Sequence, residues 1–396
     1  MVWEKVKLGD IAEFSNGINF DKSSYGKGVK LITVSNFGNH RFPPYSELTE
    51  IKEEVVKKND YLSDGDIIFV RSNGNKELVG RCLLINKPID KVTYSGFCIR
   101  ARLLDKNKYN PLYFIYHFKN TEFRRAMSGT AVGANIQNLS QGRLSAYETI
   151  IPPLPTQTKI ANILSAYDDL IENNQRQIKL LEEAAQRLYK EWFVDFRFPG
   201  YESIEFVDGL PKGWKRVKLI DLADVQYGYA FDGSLFNSDK RGTPIVRIRN
   251  IPNGTTEDYT TEEAPLQYTV SNGDIVVGMD GEFHINSWCG STSYLVQRTC
   301  KFTPKNETMK GWLLQAIYEP IKFFEKTVVG ATVSHLGKKH IDTIELLTGS
   351  EELYKPFNDF FKKRQLLRNQ NIVLSEARDR LLPKLMSGEI EISPFS

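Results

Sequence analysis

A chain of 396 residues, 41% hydrophobic and 26% charged, carries enough apolar material for two or three ordinary cores and reads as a soluble multidomain protein. It contains no run of 18 apolar residues to cross a bilayer, and its opening Met1-Val2-Trp3-Glu4-Lys5 has no apolar signal region, so a cytoplasmic protein with no membrane partner is expected. The net charge of +3 divides unevenly: residues 1–156 hold 22 Lys and Arg against 16 Asp and Glu (net +6), whereas residues 199–350 hold 16 against 19 (net −3). On bulk charge the first stretch suits a polyanion, while the second suits one only through local clusters.

The first element returns. Trp3, Val6, Lys7, Leu8, Asp10 and Ala12, continuing to Gly17 and Phe20, reappear 211 positions later as Trp214, Val217, Lys218, Leu219, Asp221 and Ala223, continuing to Gly228 and Phe231. Gly65-Asp66-Ile67-Ile68 matches Gly273-Asp274-Ile275-Val276, and Gly133-Ala134-Asn135-Ile136 through Leu139 matches Gly330-Ala331-Thr332-Val333 through Leu336. Two units of this size are a duplication, not a solenoid, and a device that reads two similar sites needs two readers.

Asp66–Val70 and Asp274–Val277 are short apolar runs after Asp-Gly and Asn-Gly turns, which predicts buried strands in a mixed α/β fold. Each runs into a polar loop. In the first copy Arg71, Ser72, Asn73, Asn75 and Lys76 are side-chain types that contact phosphates and base edges, Arg to guanine and Asn to adenine. The second copy has Met279-Asp280-Gly281-Glu282-Phe283-His284 there, with a more acidic chemistry, as two readers of different half-sites require. Asn135 and Gln137, after a run of small residues, and Arg247, Arg249, Asn250, Lys338, Lys339 and His340 in the second copy complete the candidate DNA-contacting set.

Residues 157–194 lack Gly and Pro and place Leu164, Tyr167, Ile171, Asn174, Ile178, Leu181, Ala185, Leu188 and Trp192 at alternating steps of three and four, a heptad seam. It is preceded by Ile151-Pro152-Pro153-Leu154-Pro155, read as extended, and stopped by Pro199-Gly200. A second seam places Phe360, Leu367, Leu374 and Leu381 seven apart, with Asn371 and Leu385 on neighbouring positions. Helices of about 30 to 38 residues measure on the order of 45 to 57 Å, enough to hold two domains well apart. Asn174 and Asn371 either fix register within the seam or sit at its solvated edge.

Signs of catalysis are absent. The five histidines form no HExxH, and Cys82, Cys98, Cys289 and Cys300 show no zinc spacing, so no metal site is expected and buried thiols are. No phosphate-loop or dinucleotide motif occurs, so no cofactor is expected in this chain. Asp168, Asp169, Asp280 and Glu282 read as solvated carboxylates, and no Asn-Pro-Pro-Tyr or Asp-Pro-Pro-Tyr motif for adenine methylation is present.

These residues together resemble the specificity (S) subunit of type I restriction-modification systems, over essentially the whole chain. The paired openings and Gly-Asp-Ile strands carry the resemblance, with Ile151-Pro-Pro-Leu-Pro-Thr-Gln157 running into Asp168-Asp169-Leu-Ile171-Glu172-Asn173-Asn174, then Leu188 through Gly200 and Leu382-Pro-Lys-Leu385-Met386 through Ile390. The second copy departs at Leu347–Leu353, where the proline-rich approach is missing. The resemblance implies target recognition domains at 1–155 and 199–350 and long spacer helices at 156–198 and 351–396, packed as an antiparallel coiled coil with pseudo-twofold symmetry. It further implies a non-catalytic subunit that binds a bipartite asymmetric site in double-stranded DNA and recruits two methylation subunits. S-adenosylmethionine, ATP and Mg then belong to partner subunits, and two restriction subunits can join. A nuclease or methyltransferase with duplicated domains, or a coiled-coil scaffold that binds only proteins, are the alternatives left open by the residues.

Overall fold

The strand Ile67–Val70 is apolar throughout because both its faces are covered. Ile67 and Phe69 point into one core with Leu8, Ile99, Tyr113, Phe114 and Phe118, whereas Ile68 and Val70 point into another with Ile32, Leu83 and Tyr94. In the second copy Ile275 and Val277 face one core and Val276 the other. A strand buried on both faces loses the polar alternation of a half-exposed one, which explains the continuous run in the sequence. Gly65 and Gly273, at φ of 84° and 88°, close the turns before these strands in a conformation that costs glycine least.

These features come from a computed structural model that describes residues 3–38, 40–73, 78–128, 138–327 and 334–392. The chain divides into two compact units, Met1–Asp169 with Leu374–Ser396, and Leu170–Val373. In the first unit a four-stranded antiparallel sheet has the spatial order Ala12–Asn16, Cys98–Leu103, Ile67–Val70, Cys82–Leu84. A three-stranded sheet packs Thr49–Lys52 antiparallel and Val92–Tyr94 parallel to Gly28–Ile32. The second unit repeats the four-stranded order with Ala223–Tyr227, Thr299–Pro304, Ile275–Gly278 and Ile285–Ser287. In both units the opening strand pairs antiparallel with the strand before a long helix, Glu4–Lys7 with Glu148–Ile151 and Lys215–Lys218 with Glu345–Thr348. The duplication seen in the sequence is therefore a duplication of topology.

The first long helix runs Leu154–Tyr189, 36 residues. It begins before the expected position, because Pro155 falls in the first turn, where a missing N–H leaves no helical hydrogen bond unmade. The second runs Lys355–Ser387, 33 residues, and is entered through a 3-10 turn, Glu351–Tyr354, in place of the prolines of the first copy. Within the second unit the two helices run antiparallel, since Asn174 lies opposite Asn371 and Glu182 opposite Arg364. The asparagines bond each other, Asn174 Nδ2 donating to Asn371 Oδ1 at 2.9 Å, so a buried amide meets its partner inside the seam. Among the seam residues Leu164, Ile171 and Leu367 are buried, while Ile178, Leu181, Leu188, Phe360, Leu374 and Leu381 are half-buried. Near Phe360 the more deeply buried side chains are Phe357, which joins the globular core, and Phe361.

The four cysteines are free and buried, as expected of core thiols. Among the described residues no helix is long and apolar enough to cross a membrane.

Asp168 is not the solvated carboxylate its sequence context suggested, whereas the Asp169 side chain stays 65% exposed, as expected. Asp168 is buried and accepts from Tyr116 Oη at 2.6 Å and from Arg378 Nη1 at 2.5 Å; Asp169 pairs with the buried Arg41 at 2.5 Å. In the second unit the polar anchor is different. Arg364 donates to Glu182, Ser287 and Asn286, and Arg368 donates to the Ser287 and Asn253 carbonyls at 2.7 Å each. Burial, with Arg364 adjacent, lowers the Arg368 pKa to about 10.

His117, in the helix Pro111–Lys119, lies among Tyr113, Phe114, Phe118, Phe123 and Tyr147, and neither ring nitrogen has a hydrogen-bond partner among the described residues. Burial pushes its pKa down to about 4, so the folded chain keeps it neutral where the unfolded chain, near 6.5, takes up a proton. Its contribution is fully present above pH 6.5 and is lost as pH falls toward 4, by up to about 3 kcal/mol. Thermal melting of His117→Phe should accordingly show a shallower loss of stability across that window than the parent; parallel curves would show that His117 is not responsible.

Candidate nucleic-acid interface

Three stretches of backbone meet at the end of each central strand. In the first unit the Arg71 amide donates to the Phe97 carbonyl (2.8 Å), the Leu139 amide donates to the Arg71 carbonyl (2.9 Å), and Ser72 bridges Asn138. In the second the Met279 amide donates to the Arg298 carbonyl (2.9 Å), the Leu336 amide donates to the Met279 carbonyl (2.7 Å), and Asp280 bridges His335. One frame is built twice. It unites the loop after the central strand with the end of the stretch that follows the small residues, two candidates widely separated in sequence.

The side chains on the frame differ. The first copy carries Arg71, whose Nη1 donates to the Gly96 carbonyl at 3.3 Å, together with Ser72, Asn138 and a Phe97 that is 63% exposed. In the second, Met279 is buried, and Asp280 stands 3.3 Å from Arg298 Nε and 2.5 Å from His335 Nδ1. Asp280 is thus an ion-paired group and not the solvated carboxylate expected. The cation has changed sides of one backbone hydrogen bond, from its donor residue in the first copy (Arg71) to its acceptor residue in the second (Arg298).

The remaining candidates are dispersed. Arg249 forms an ion pair with Asp258, and Asn250 is used internally: its Oδ1 accepts from the Arg247 amide (2.8 Å) and its Nδ2 donates to Asp258 (3.1 Å). Burial opposes the Asp258 charge, but hydrogen bonds from Arg249 and Asn250 outweigh it and lower the pKa. Arg247 lies over the Phe236 ring, 5.4 Å from its centroid. Lys338 and Lys339 are exposed in the short helix Lys338–Ile341, Lys338 paired with Asp342 at 2.6 Å. His340 accepts from the Gly337 amide through Nδ1 and packs on Phe324, and partial burial with Lys339 nearby lowers its pKa. Asn73 continues the first loop, half-buried; Asn75, Lys76, Asn135 and Gln137 lie outside the described residues.

Asn138 and His335 close the candidate stretches that follow the small residues, but Phe97 and Arg298 were not among the sequence candidates. The available signal was the alignment of the repeat itself, which places Phe97 and Arg298 immediately before the matching strands Cys98–Leu103 and Thr299–Pro304.

Two α/β units with a common backbone frame, different side chains upon it and a long helix after each define a duplicated recognition protein. The model of the type I restriction modification DNA specificity domain matches residues 2–183 and 211–348, and the chain belongs to that family. It is a specificity subunit of a type I restriction-modification system and not an enzyme. Relatives include the type I restriction enzyme MjaIX specificity subunit of Methanocaldococcus jannaschii, 24% identical over 98% of this chain and 94% of the relative. The HindI specificity subunit of Haemophilus influenzae is likewise 24% identical, over 98% of this chain and 99% of its own length. The EcoBI specificity subunit of Escherichia coli is 32% identical over 36% of this chain and 31% of its own length. Among solved structures, a type I restriction-modification S subunit from M. genitalium shares the fold, with a TM-score of 0.59 at 15% identity over 97% of this chain and 96% of that one.

Proposed function

We propose that this subunit reads a bipartite, asymmetric sequence in double-stranded DNA, one half with each of the domains 1–155 and 199–350. In the same proposal it recruits two methylation subunits for adenine methylation in the cytosol, and two restriction subunits join for cleavage. The frame built twice with different side chains is the observation that carries this reading: a shared scaffold serves two similar tasks, and altered side chains serve two different sequences. The long helices supply the spacing. At 1.5 Å per residue the 36-residue helix measures about 54 Å, so the centres of the half-sites lie more than one DNA turn of about 34 to 36 Å apart.

A gel shift of the chain with its methylation partner tests the reading. One split sequence should be preferred, and equal affinity for random duplexes in stringent salt would contradict it. Phosphate contacts are expected from the candidate cations, Lys338 and Lys339 among them. Replacing both with Ala should weaken binding uniformly across sequences and reduce the slope of log affinity against log salt by about two. An unchanged slope would remove this pair from the interface.

A further inference from the structure

We propose that one backbone position, Phe97 in the first copy and Arg298 in the second, selects a base in each half-site: thymine through Phe97 and guanine through Arg298. The proposal rests on the reading of the chain as a two-part DNA reader and assigns residues to it. In each copy this is the residue whose carbonyl accepts the amide hydrogen from the end of the central strand, so the backbone holds it at the same place. Its chemistry is opposite in the two copies. An aromatic side chain, 63% exposed, occupies it in one, and a guanidinium, 50% exposed, occupies it in the other. Apolar side chains contact the thymine methyl group, and a guanidinium spans guanine O6 and N7 with two donors.

Two observations set Arg298 apart from an ordinary surface cation. Its φ is +72°, in the left-handed region that glycine occupies without strain, and such strain gathers where a side chain is required for function. Its guanidinium is also oriented. Asp280 Oδ2 lies 3.3 Å from Nε, while His335 Nδ1 lies 2.5 Å from Asp280 Oδ1 and must supply the proton of that bond. His335 Nδ1 then has no lone pair for Arg298 Nη1, 3.2 Å away, and among the described residues the terminal donors of the fork meet no acceptor. A carboxylate on Nε with open Nη groups is the arrangement that presents two parallel donors to a base edge.

The test uses the full chain with its methylation subunits and a randomised duplex library, from which bound DNA is selected and sequenced for the parent, Phe97→Ala and Arg298→Gly. Arg298→Gly should lose about tenfold or more of its preference for guanine at one position of the second half-site, leaving the first half-site and the gap as in the parent. Its melting temperature should not fall, because glycine relaxes the backbone at φ +72°. Phe97→Ala should lose a severalfold preference for thymine at one position of the first half-site and leave the second intact. Parental preferences retained in both half-sites by both variants would overturn the assignment. If the parent itself selects no split sequence, the underlying reading of the chain fails, an outcome visible without either variant.

Discussion

Removing residues 171–177 from the first long helix together with 369–375 from the second is expected to end methylation of the parental site and to move it to one whose gap is about three base pairs shorter. Seven residues are nearly two helical turns and about 10 Å of length, while DNA rises 3.4 Å per base pair. A heptad deletion turns a straight helix by only about 20°, so the faces that meet across the seam still meet. The segment lies between two ion pairs that survive, Asp168 with Arg378 and Glu182 with Arg364, and the deletion removes the hydrogen bond from Asn174 to Asn371. Cutting one helix alone would shift one side of each pairing by seven residues, so that variant should misassemble rather than shorten the gap. Sequencing the methylated adenines in cells that express the double deletion with its partner subunits decides the matter: a parental gap would show that helix length does not set the spacing.

The framework was legible in the sequence because local physics determines it. Four apolar residues after a glycine turn, Ile67–Val70, have few alternatives to a strand buried on both faces, and the same holds for Ile275–Gly278. The long helices announced themselves through the heptads, but the bounds of the first were less legible. It starts at Leu154, since a proline reads as a break until its place in the first turn is known, and it ends at Tyr189, giving way to a π-turn at Lys190–Val194, ahead of Pro199. Pairwise polar contacts were not legible. Asp168 has the sequence surroundings of a surface carboxylate, and its partners Tyr116 and Arg378 are 52 and 210 residues away. The recognition site was half legible. The Arg71 loop stands out by composition, but Phe97 before a buried strand reads as core, and Arg298 stands in a region of net negative charge with no local signal that Asp280 and His335 hold it.

Asp168→Ala should destabilise the first unit by about 3 kcal/mol or more, the cost of leaving one partner of a buried pair behind. The carboxylate serves two groups at once: the Tyr116 hydroxyl, in a tyrosine almost fully buried, and Arg378, whose side chain is 26% exposed. Water can reach part of the orphaned guanidinium, which holds the loss toward the lower end, but it does not replace the acceptor that the Tyr116 hydroxyl loses. Asp168→Asn keeps an acceptor for Tyr116 and removes only the charge, so its loss should fall between Ala and the parent. Buried ion pairs offset much of their own attraction through desolvation. The combined change Tyr116→Phe, Asp168→Leu and Arg378→Met, which removes Asp168 together with both of its partners and leaves Arg41 its Asp169 pair, should therefore recover most of the stability lost in Asp168→Ala. Urea unfolding of the three variants separates the possibilities. Additive losses in the combined variant would mean that packing around the cluster, and not the coupling of its charges and hydroxyl, holds the helices to the first unit.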